Sequence, residues 1–261
     1  YILKPSPEEY PNLAENEHAI MSVMKRLGFD VPPFGLVPFQ QATDSNNVEY
    51  AFLIKRFDRN EKEQSKVHQE QLDGAMGIEE KYGKVNGVQI ISYERVCKFL
   101  IEKIDSNLQF KRELFKRVMY SYLLGNNDFH LRNFSIIMPN EEKNRLAPIY
   151  DFVSTAPYLD TFADSYLALP LLKIEENDNE LAPGFNTQYG QYIGYDFIEF
   201  AQGLGLNGKL AVKVISETVK NKAIVINTID NSFMIEAHKI EVIRCFNQRL
   251  SCLQVQDFNP I

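Results

Sequence analysis

The spacing of apolar residues divides the chain into a front part rich in strands and a longer part rich in helices. Val48 to Phe57 has the two-residue period of a strand. Tyr1 to Lys4 predicts the end of another strand, because the prolines that follow cannot extend a central ladder. Val31 to Phe39 carries three prolines and predicts a loop with a short edge strand. A polar turn is expected over 40–47.

Helical spacing dominates the remainder of the chain. Leu13 to Leu27 predicts a first helix, with Ile20, Val23 and Met24 on its apolar stripe and Gly28 as its stop. A charged linker is predicted from Arg59 to Lys66, and loop-rich sequence from about 125 to 194. Further helices are predicted at His68–Tyr82, Ser92–Ile104, Gln109–Leu124, Tyr195–Leu204, Lys209–Asn227 and Ser232–Leu253.

These elements predict an α+β chain in two parts. Residues 1–57 would form a small β-rich lobe that ends in a hinge, and residues 58–261 a larger, mainly helical lobe. The chain opens inside an apolar run, Tyr-Ile-Leu-Lys. We therefore expect the true beginning of the small lobe to precede Tyr1.

Charge and composition narrow the classes of function. The 261 residues carry a net charge of −7 and no dense basic stripe, so direct binding to nucleic acid is not expected. The longest apolar stretches are too short to span a bilayer. No basic segment followed by an apolar one opens the chain, so a secretory signal is not expected. Cys97, Cys245 and Cys252 form no CxxC pair, which favours a reducing compartment, the cytoplasm.

The most informative segment follows the helix that ends at Leu124. It runs from Gly125 to Ser135 as Gly-Asn-Asn-Asp-Phe-His-Leu-Arg-Asn-Phe-Ser. Asp128 and Asn133 have the spacing of the aspartate and asparagine in a kinase catalytic loop, where the carboxylate accepts a hydroxyl proton and the amide oxygen helps to hold Mg²⁺. Asn and Asp also form ordinary turns after helices, so the motif alone leaves both interpretations open.

A second carboxylate strengthens the catalytic interpretation. Asp151 ends the short apolar run that begins at Ala147, and a turn-forming stretch from Pro139 to Arg145 separates it from Asn133. A strand hairpin would bring Asp151 back beside Asn133, as a second metal ligand. The alternative is a carboxylate that only caps a strand end.

A lysine–glutamate pair is predicted in the small lobe. Glu17 shares the apolar stripe of the first helix, and a buried carboxylate needs a partner. Lys4, at the end of an apolar strand, is the nearest candidate. In kinases such a lysine, held by a helix glutamate, contacts the nucleotide phosphates. An ordinary strand–helix ion pair is the alternative.

The sequence resembles the HipA-like serine/threonine kinase family, the bacterial toxin kinases that include the shorter HipT proteins. The resemblance rests on several short motifs that occur in the same order as in the family. They span roughly Tyr1 to Ser154. The phrases are Ile2-Leu3-Lys4, Glu15-Asn16-Glu17, Arg56-Phe57-Asp58-Arg59, His68-Gln69-Glu70, Asn127-Asp128-Phe129-His130-Leu131-Arg132-Asn133-Phe134-Ser135 and Tyr150-Asp151. The resemblance implies a two-lobed protein-kinase-like fold.

The resemblance also assigns roles to individual residues. Asp128 would be the catalytic aspartate, and Asn133 and Asp151 the magnesium ligands. The residues assigned to ATP are Lys4 with Glu17 at the phosphates, Lys55 and Phe57 as backbone partners of adenine at the hinge, and His130, Asn133 and Asp151 in the catalytic region. For the hinge the alternative is an exposed, charged strand end, and for His130 a histidine satisfied by local hydrogen bonds.

Three departures limit what the resemblance implies. The Gly-rich loop of the family, with its autophosphorylation site, is expected upstream of Tyr1. Val153 stands where ordinary kinases have the glycine of Asp-Phe-Gly, so no activation switch of that kind is expected. The region 161–192 contains no motif to which a function can be assigned.

The leading hypothesis is a cytoplasmic, ATP- and Mg²⁺-dependent serine/threonine protein kinase. The family implies a toxin of a toxin–antitoxin system whose target is often an aminoacyl-tRNA synthetase, with a HipB-like DNA-binding antitoxin as partner. A kinase for a small molecule and a nucleotide-binding pseudokinase regulator are the alternatives. The presence of Lys4, Asp128, Asn133 and Asp151 together argues against a pseudokinase.

Overall fold

Three strands near the start of the chain form an antiparallel sheet with a helix packed on it. The computed structural model describes residues 1–39, 49–60, 65–140, 142–158 and 165–260. The strands β1 (Ile2–Pro5), β2 (Phe34–Phe39) and β3 (Glu49–Ile54) have the order β1-β3-β2, and the helix is α1 (Leu13–Arg26). The predicted edge position of β2 is confirmed, while the turn predicted over 40–47 lies outside the described residues.

The rest of the chain contains short strands and most of the helices. The strands are β4 (Arg59–Asn60), β5 (Ser65–Lys66), β6 (His68–Gln71), β7 (Lys84–Val85), β8 (Val88–Gln89), β9 (Ser135–Met138) and β10 (Arg145–Leu146). The helices are α2 (Leu72–Met76), α3 (Tyr93–Lys103), α4 (Leu108–Leu123), α5 (Gly194–Gly203), α6 (Gly208–Lys220), α7 (Lys222–Asp230) and α8 (Glu236–Leu253).

Helix α1 forms where its apolar stripe was predicted. Ile20, Val23 and Met24 are fully buried. The chain leaves the helix through Gly28, whose φ of 85° lies in the left-handed region that glycine adopts without steric cost. On its inner side the helix packs against β3 and α7. It therefore connects the small sheet with the helical part of the chain.

The prediction of a single helix over His68–Tyr82 is wrong. Its first residues form strand β6, which pairs antiparallel with β9, so that Gln69 lies opposite Ile137. Only the five residues of α2 are helical, and Gly77, with a φ of 68°, ends that helix. Pairing with a buried strand 66 residues further along the chain has overridden the local pattern.

The prediction of a charged linker from Arg59 to Lys66 is also wrong at both ends of the segment, which form strands. Arg59 pairs with Lys66, and Asn60 with Ser65, as the antiparallel strands β4 and β5. The residues between them lie outside the described part of the chain.

Most predicted helices of the larger part are confirmed. Ser92 caps α3 by accepting a hydrogen bond from the Arg95 backbone N–H at 3.2 Å. The predicted single helix Lys209–Asn227 is instead two helices, because the chain turns at Asn221 between α6 and α7. The last helix begins four residues later than predicted, at Glu236. None of the helices in the described ranges is long and apolar enough to cross a membrane.

A buried amide connects α1 with the segment that follows Asp151. The Asn16 side chain donates a hydrogen bond to the Ser154 carbonyl at 2.9 Å and accepts one from the Ser154 N–H at 2.9 Å. Both residues are fully buried. Contacts of this kind cross the boundary that we expect between residues 57 and 58, and that division stays a prediction.

Replacing Asn16 by alanine tests this connection. The Asn16→Ala variant leaves the N–H and C=O groups of Ser154 buried without their partner, which costs about 2–3 kcal/mol. Denaturant unfolding should show this loss, whereas Asn179→Ala at an exposed position should match the wild type. Equal free energies of unfolding for Asn16→Ala and the wild type would contradict the structural role of the pair.

Candidate functional site

The loop with the most informative motif begins where α4 ends. Gly125 has a φ of 70°, and a Cβ at this position would lie 3.0 Å from the Cys245 Sγ. A glycine is therefore needed for the reversal. The loop then passes through a short 3-10 turn at Leu131–Asn133 and enters β9.

Hydrogen bonds within the loop hold Asp128 in place. The Asn133 side-chain amide donates to the Asp128 carbonyl at 2.6 Å, and the Asp128 N–H donates to the Asn126 side chain at 3.2 Å. The buried Tyr93 hydroxyl donates to the Phe129 carbonyl at 2.6 Å. Asn133 is buried, while 31% of the Asp128 side chain is exposed. The carboxylate is thus partly accessible to solvent, on a loop that is held by several hydrogen bonds.

The Asp128 carboxylate has polar neighbours inside and outside the loop. The Tyr82 hydroxyl donates to its Oδ1 at 2.9 Å, and the Lys81 Nζ lies 3.7 Å from the same oxygen. The His130 Nε2 lies 3.5 Å from it. Burial lowers the pKa of His130, although the Asp128 charge opposes that shift. His130 therefore shapes the surroundings of Asp128 mainly as a neutral ring.

Asp151 returns to this loop through the predicted hairpin. Strands β9 and β10 pair antiparallel, and the Tyr150 hydroxyl donates to the Arg132 carbonyl at 2.8 Å. Asp151 itself has a φ of 49°, a left-handed conformation that non-glycine residues adopt at some energetic cost and often at functional sites. Its carboxylate contacts the Lys4 ammonium group.

The ion pair predicted between Lys4 and Glu17 is present, with 2.8 Å between Nζ and Oε1. Glu17 is only 5% exposed. Burial raises the pKa of Glu17 to about 7, although the Lys4 charge pulls it down. Burial alone would lower the pKa of Lys4, but the charges of Glu17 and Asp151 raise it above its ordinary value. Above about pH 7, where Glu17 is ionised, one ammonium group thus lies between two carboxylates.

Four of the predicted site residues line one cavity of about 230 Å³. They are Lys4, Glu17, Asp128 and Asp151, and the wall is completed by Tyr10, Leu13, Val153, Ser154, Thr155 and Tyr158. Asn133 reaches this group through its hydrogen bond to Asp128. The structure therefore brings together residues from β1, α1, the loop after α4 and the segment after β10.

The two predicted hinge residues line a different cavity. Lys55 and Phe57 face a space of about 640 Å³ that Pro33 and Arg145 also border. The Lys55 backbone N–H donates to the Pro33 carbonyl at 2.8 Å. The Phe57 ring lies 5.2 Å from the Tyr150 ring, next to Asp151. The adenine-binding role of Lys55 and Phe57 stays a prediction.

Comparison with known proteins establishes the family. The family described as HipA-like C-terminal domain matches residues 1–225. The chain belongs to this family. A Haemophilus influenzae protein named "Putative kinase" is 53% identical over 258 residues, which are 98% of this chain and 74% of that protein. The serine/threonine-protein kinase toxin HipA of Shewanella oneidensis is 26% identical over 227 residues, 82% of this chain and 47% of the toxin. The chain is thus a HipA-like kinase by family.

Solved structures support the predicted fold. A crystal complex of Shewanella oneidensis HipA with HipB and operator DNA contains a chain with a TM-score of 0.70 at 21% identity, covering 97% of this chain and 57% of that one. The Helicobacter pylori proinflammatory kinase CtkA has a TM-score of 0.59 at 16% identity, covering 97% and 88%. The predicted resemblance and the α+β, kinase-like fold are confirmed.

The donor atoms at the HipA-like site suit Mg²⁺. Asp151 offers a carboxylate and Asn133 an amide oxygen, both of which are hard oxygen ligands. Within the described ranges, no group of three His, Cys, Asp or Glu residues has the geometry to hold a metal ion. Mg²⁺ is commonly bound by one or two carboxylates together with substrate phosphates and water. A site with few protein ligands is consistent with this mode of Mg²⁺ binding.

Two residues at this site were not predicted from the sequence. Lys81 and Tyr82 contact the Asp128 carboxylate, but they lie at the end of the segment that was predicted to be helical. Neither residue belongs to a phrase that was quoted for the resemblance. Their approach to Asp128 depends on the turn that follows α2, which local spacing did not predict.

The raised pKa of Glu17 predicts a pH dependence of stability. Between about pH 5 and pH 7 the folded chain keeps Glu17 protonated while the unfolded chain ionises it. The free energy of unfolding therefore falls as pH rises through this range, by at most about 1.4 kcal/mol per pH unit from this group. Glu17→Gln should remove that part of the slope. Denaturant unfolding at several pH values measures it.

Other buried carboxyl groups also make stability depend on pH, so the slope of Glu17→Gln has to be compared with that of the wild type. Burial also raises the pKa of Glu175 to about 7 and that of Asp196 to about 6, and both slopes are shared by the variant and the wild type. An exposed-site variant, Glu79→Gln, should keep the full wild-type slope. If Glu17→Gln keeps it as well, Glu17 is ionised in the folded chain throughout the range.

Proposed function

We propose that this HipA-like chain is a serine/threonine protein kinase that uses ATP and Mg²⁺. The observation that carries the proposal is the cavity shared by Lys4, Glu17, Asp128 and Asp151. At about 230 Å³ it is smaller than the roughly 300–1,000 Å³ of typical ligand pockets. Its size suits the phosphate end of a nucleotide, and its charges are those that phosphoryl transfer requires.

Lys4 would contact the phosphates of ATP. Its ammonium is held by Glu17 at 2.8 Å and contacts Asp151. A lysine held by a buried glutamate keeps one position and does not have to reorganise when charge develops on the phosphates. Adenine would meet the backbone at Lys55 and Phe57, and His130 would border the nucleotide from the catalytic loop.

Asp128 would orient the substrate hydroxyl and accept its proton. The loop bonds from Asn126 and Asn133 fix its backbone, so its carboxylate is held ready for a hydroxyl that enters the cavity. Asp151 and Asn133 would hold Mg²⁺. When bound, the metal ion neutralises charge on the phosphate oxygens.

The family suggests the biological setting of the reaction. We infer a toxin of a toxin–antitoxin system that modifies a bacterial protein, with an aminoacyl-tRNA synthetase as the candidate target. The crystal complex of Shewanella HipA with HipB and DNA supports a HipB-like antitoxin as partner. A net charge of −7 suits a chain that reaches DNA through such a partner.

Removing the catalytic carboxylate should abolish phosphoryl transfer. Asp128→Ala should lower the rate by at least about 100-fold, because general-base contributions are typically 10²–10⁴-fold. The fold should remain intact, since the side chain is partly exposed and contributes little packing. The measurement is transfer of label from ATP, with Mg²⁺, to proteins of a bacterial lysate.

Asp257→Ala, at an exposed position near the end of the chain, is the matched control and should retain full activity. Unchanged transfer by Asp128→Ala would remove Asp128 from this role. Label in a small metabolite would indicate a small-molecule kinase. Nucleotide binding without any transfer by the wild type would indicate a pseudokinase regulator.

Asp151→Asn should weaken the binding of Mg²⁺–ATP by about tenfold, because a neutral amide is a poorer ligand for Mg²⁺ than a carboxylate. Asparagine tolerates the left-handed backbone that Asp151 adopts, so the substitution changes charge with little change of conformation. Calorimetry with Mg²⁺–ATP, and with ATP in the presence of a chelator, measures the difference. Equal Mg²⁺–ATP affinities for variant and wild type would count against a metal ligand at Asp151.

A further inference from the structure

Two residues from outside the catalytic loop meet the Asp128 carboxylate. The Tyr82 hydroxyl donates to Oδ1 at 2.9 Å, and the Lys81 Nζ lies 3.7 Å from the same oxygen. Both contacts are made to Oδ1 of a side chain that is 31% exposed. The other oxygen, Oδ2, is therefore the one that a substrate hydroxyl would approach.

One backbone hydrogen bond attaches the segment that carries Lys81 and Tyr82 to the catalytic loop, and two others fix the segment itself. The Leu131 N–H donates to the Lys81 carbonyl at 3.0 Å. The buried Gln89 side chain donates to the Tyr82 carbonyl at 2.8 Å, and the Tyr82 N–H donates to the Glu80 carboxylate at 3.0 Å. These bonds hold both side chains at Asp128 through the backbone.

Ring contacts add to this arrangement. The Lys81 Nζ lies 4.8 Å from the centre of the Tyr82 ring, a cation–π geometry. The Tyr82 ring meets the His130 ring edge to face, with 5.3 Å between the centroids. The Tyr82 ring thus contacts both the Lys81 ammonium group and the His130 ring.

Lys81 places a positive charge beside Asp128 that the loop's own arginine does not provide. Arg132 belongs to the catalytic loop, but its guanidinium is paired with Asp73 at 2.6 Å. The Lys81 ammonium lies beside Asp128 on a long, flexible stem with 36% of the side chain exposed. Negative charge spreads over the oxygens of the phosphoryl group during its transfer, and a cation at this position would stabilise it.

We propose that Lys81 is a catalytic residue that contacts both Asp128 and the phosphoryl group in transfer, and that Tyr82 positions the Asp128 carboxylate. The proposal rests on the proposed kinase function. In the reaction, the bond between the γ-phosphorus and the bridging oxygen of ATP breaks, and a bond from the substrate oxygen to phosphorus forms. The hydroxyl proton passes to Oδ2 of Asp128, and ADP leaves.

Three variants test this proposal in the full chain. Lys81→Met removes the ammonium, Lys81→Arg restores a cation, and Tyr82→Phe removes only the hydroxyl. We expect Lys81→Met to lower the maximum rate about 100-fold, the usual scale for one charge-stabilising group. Lys81→Arg should have a maximum rate about tenfold higher than that of Lys81→Met. Tyr82→Phe by itself should lower the maximum rate about tenfold.

The readout separates catalysis from binding and folding. Initial rates of labelled phosphate transfer to lysate proteins, measured over a range of Mg²⁺–ATP concentrations, give the maximum rate and the KM for ATP. The KM and the melting temperature should stay close to the wild-type values in all three variants. Lys213→Met on α6 and Tyr195→Phe on α5 are the matched controls and should be fully active.

Two results overturn the proposal while leaving the kinase function in place. One is a wild-type maximum rate in Lys81→Met and Tyr82→Phe beside an inactive Asp128→Ala. The other is a loss that appears only in KM or in the melting temperature, or that arginine does not relieve. Absence of any transfer by the wild type overturns the kinase function, and this proposal with it.

Discussion

The site depends on one buried arrangement of charge. Glu17 faces the interior, where an ionised carboxylate without a partner costs several kcal/mol. Lys4 supplies the partner at 2.8 Å, and the same ammonium contacts Asp151, which lies 147 residues away in sequence. Strand β1, helix α1 and the segment after β10 must therefore come together before any of these charges is satisfied. The same closure creates the cavity in which the proposed chemistry takes place.

The surrounding fold keeps that closure in place. Asn16, one residue before Glu17, exchanges two hydrogen bonds with the backbone of Ser154. The Tyr150 hydroxyl, one residue before Asp151, reaches the carbonyl of Arg132 in the catalytic loop. Glu17 and Asp151 thus each have a neighbour in sequence that is bonded to another part of the site. This arrangement is typical of sites whose geometry is preorganised by hydrogen bonds.

Several elements that local signals in the sequence predict are present in the structure. The apolar stripe of α1, the glycine after it and the serine cap of α3 depend on residues a few positions apart. Some elements that depend on pairing between distant strands were not predicted. The polar residues of β6 become a strand because β9 offers a partner. The resulting turn after α2 brings Lys81 and Tyr82 to the catalytic loop, and for that reason their contacts with Asp128 were missed.

Motif residues and helical spacing are properties of the linear chain. They were therefore enough to predict the resemblance to the family, the α+β composition and Lys4, Glu17, Asp128 and Asp151 as site candidates. Which of these groups share a cavity depends on how the elements pack in three dimensions. Four of the candidates converge, whereas the hinge candidates border a separate space. Contacts between residues far apart in sequence are set by packing and charge pairing across the fold, which no local pattern encodes.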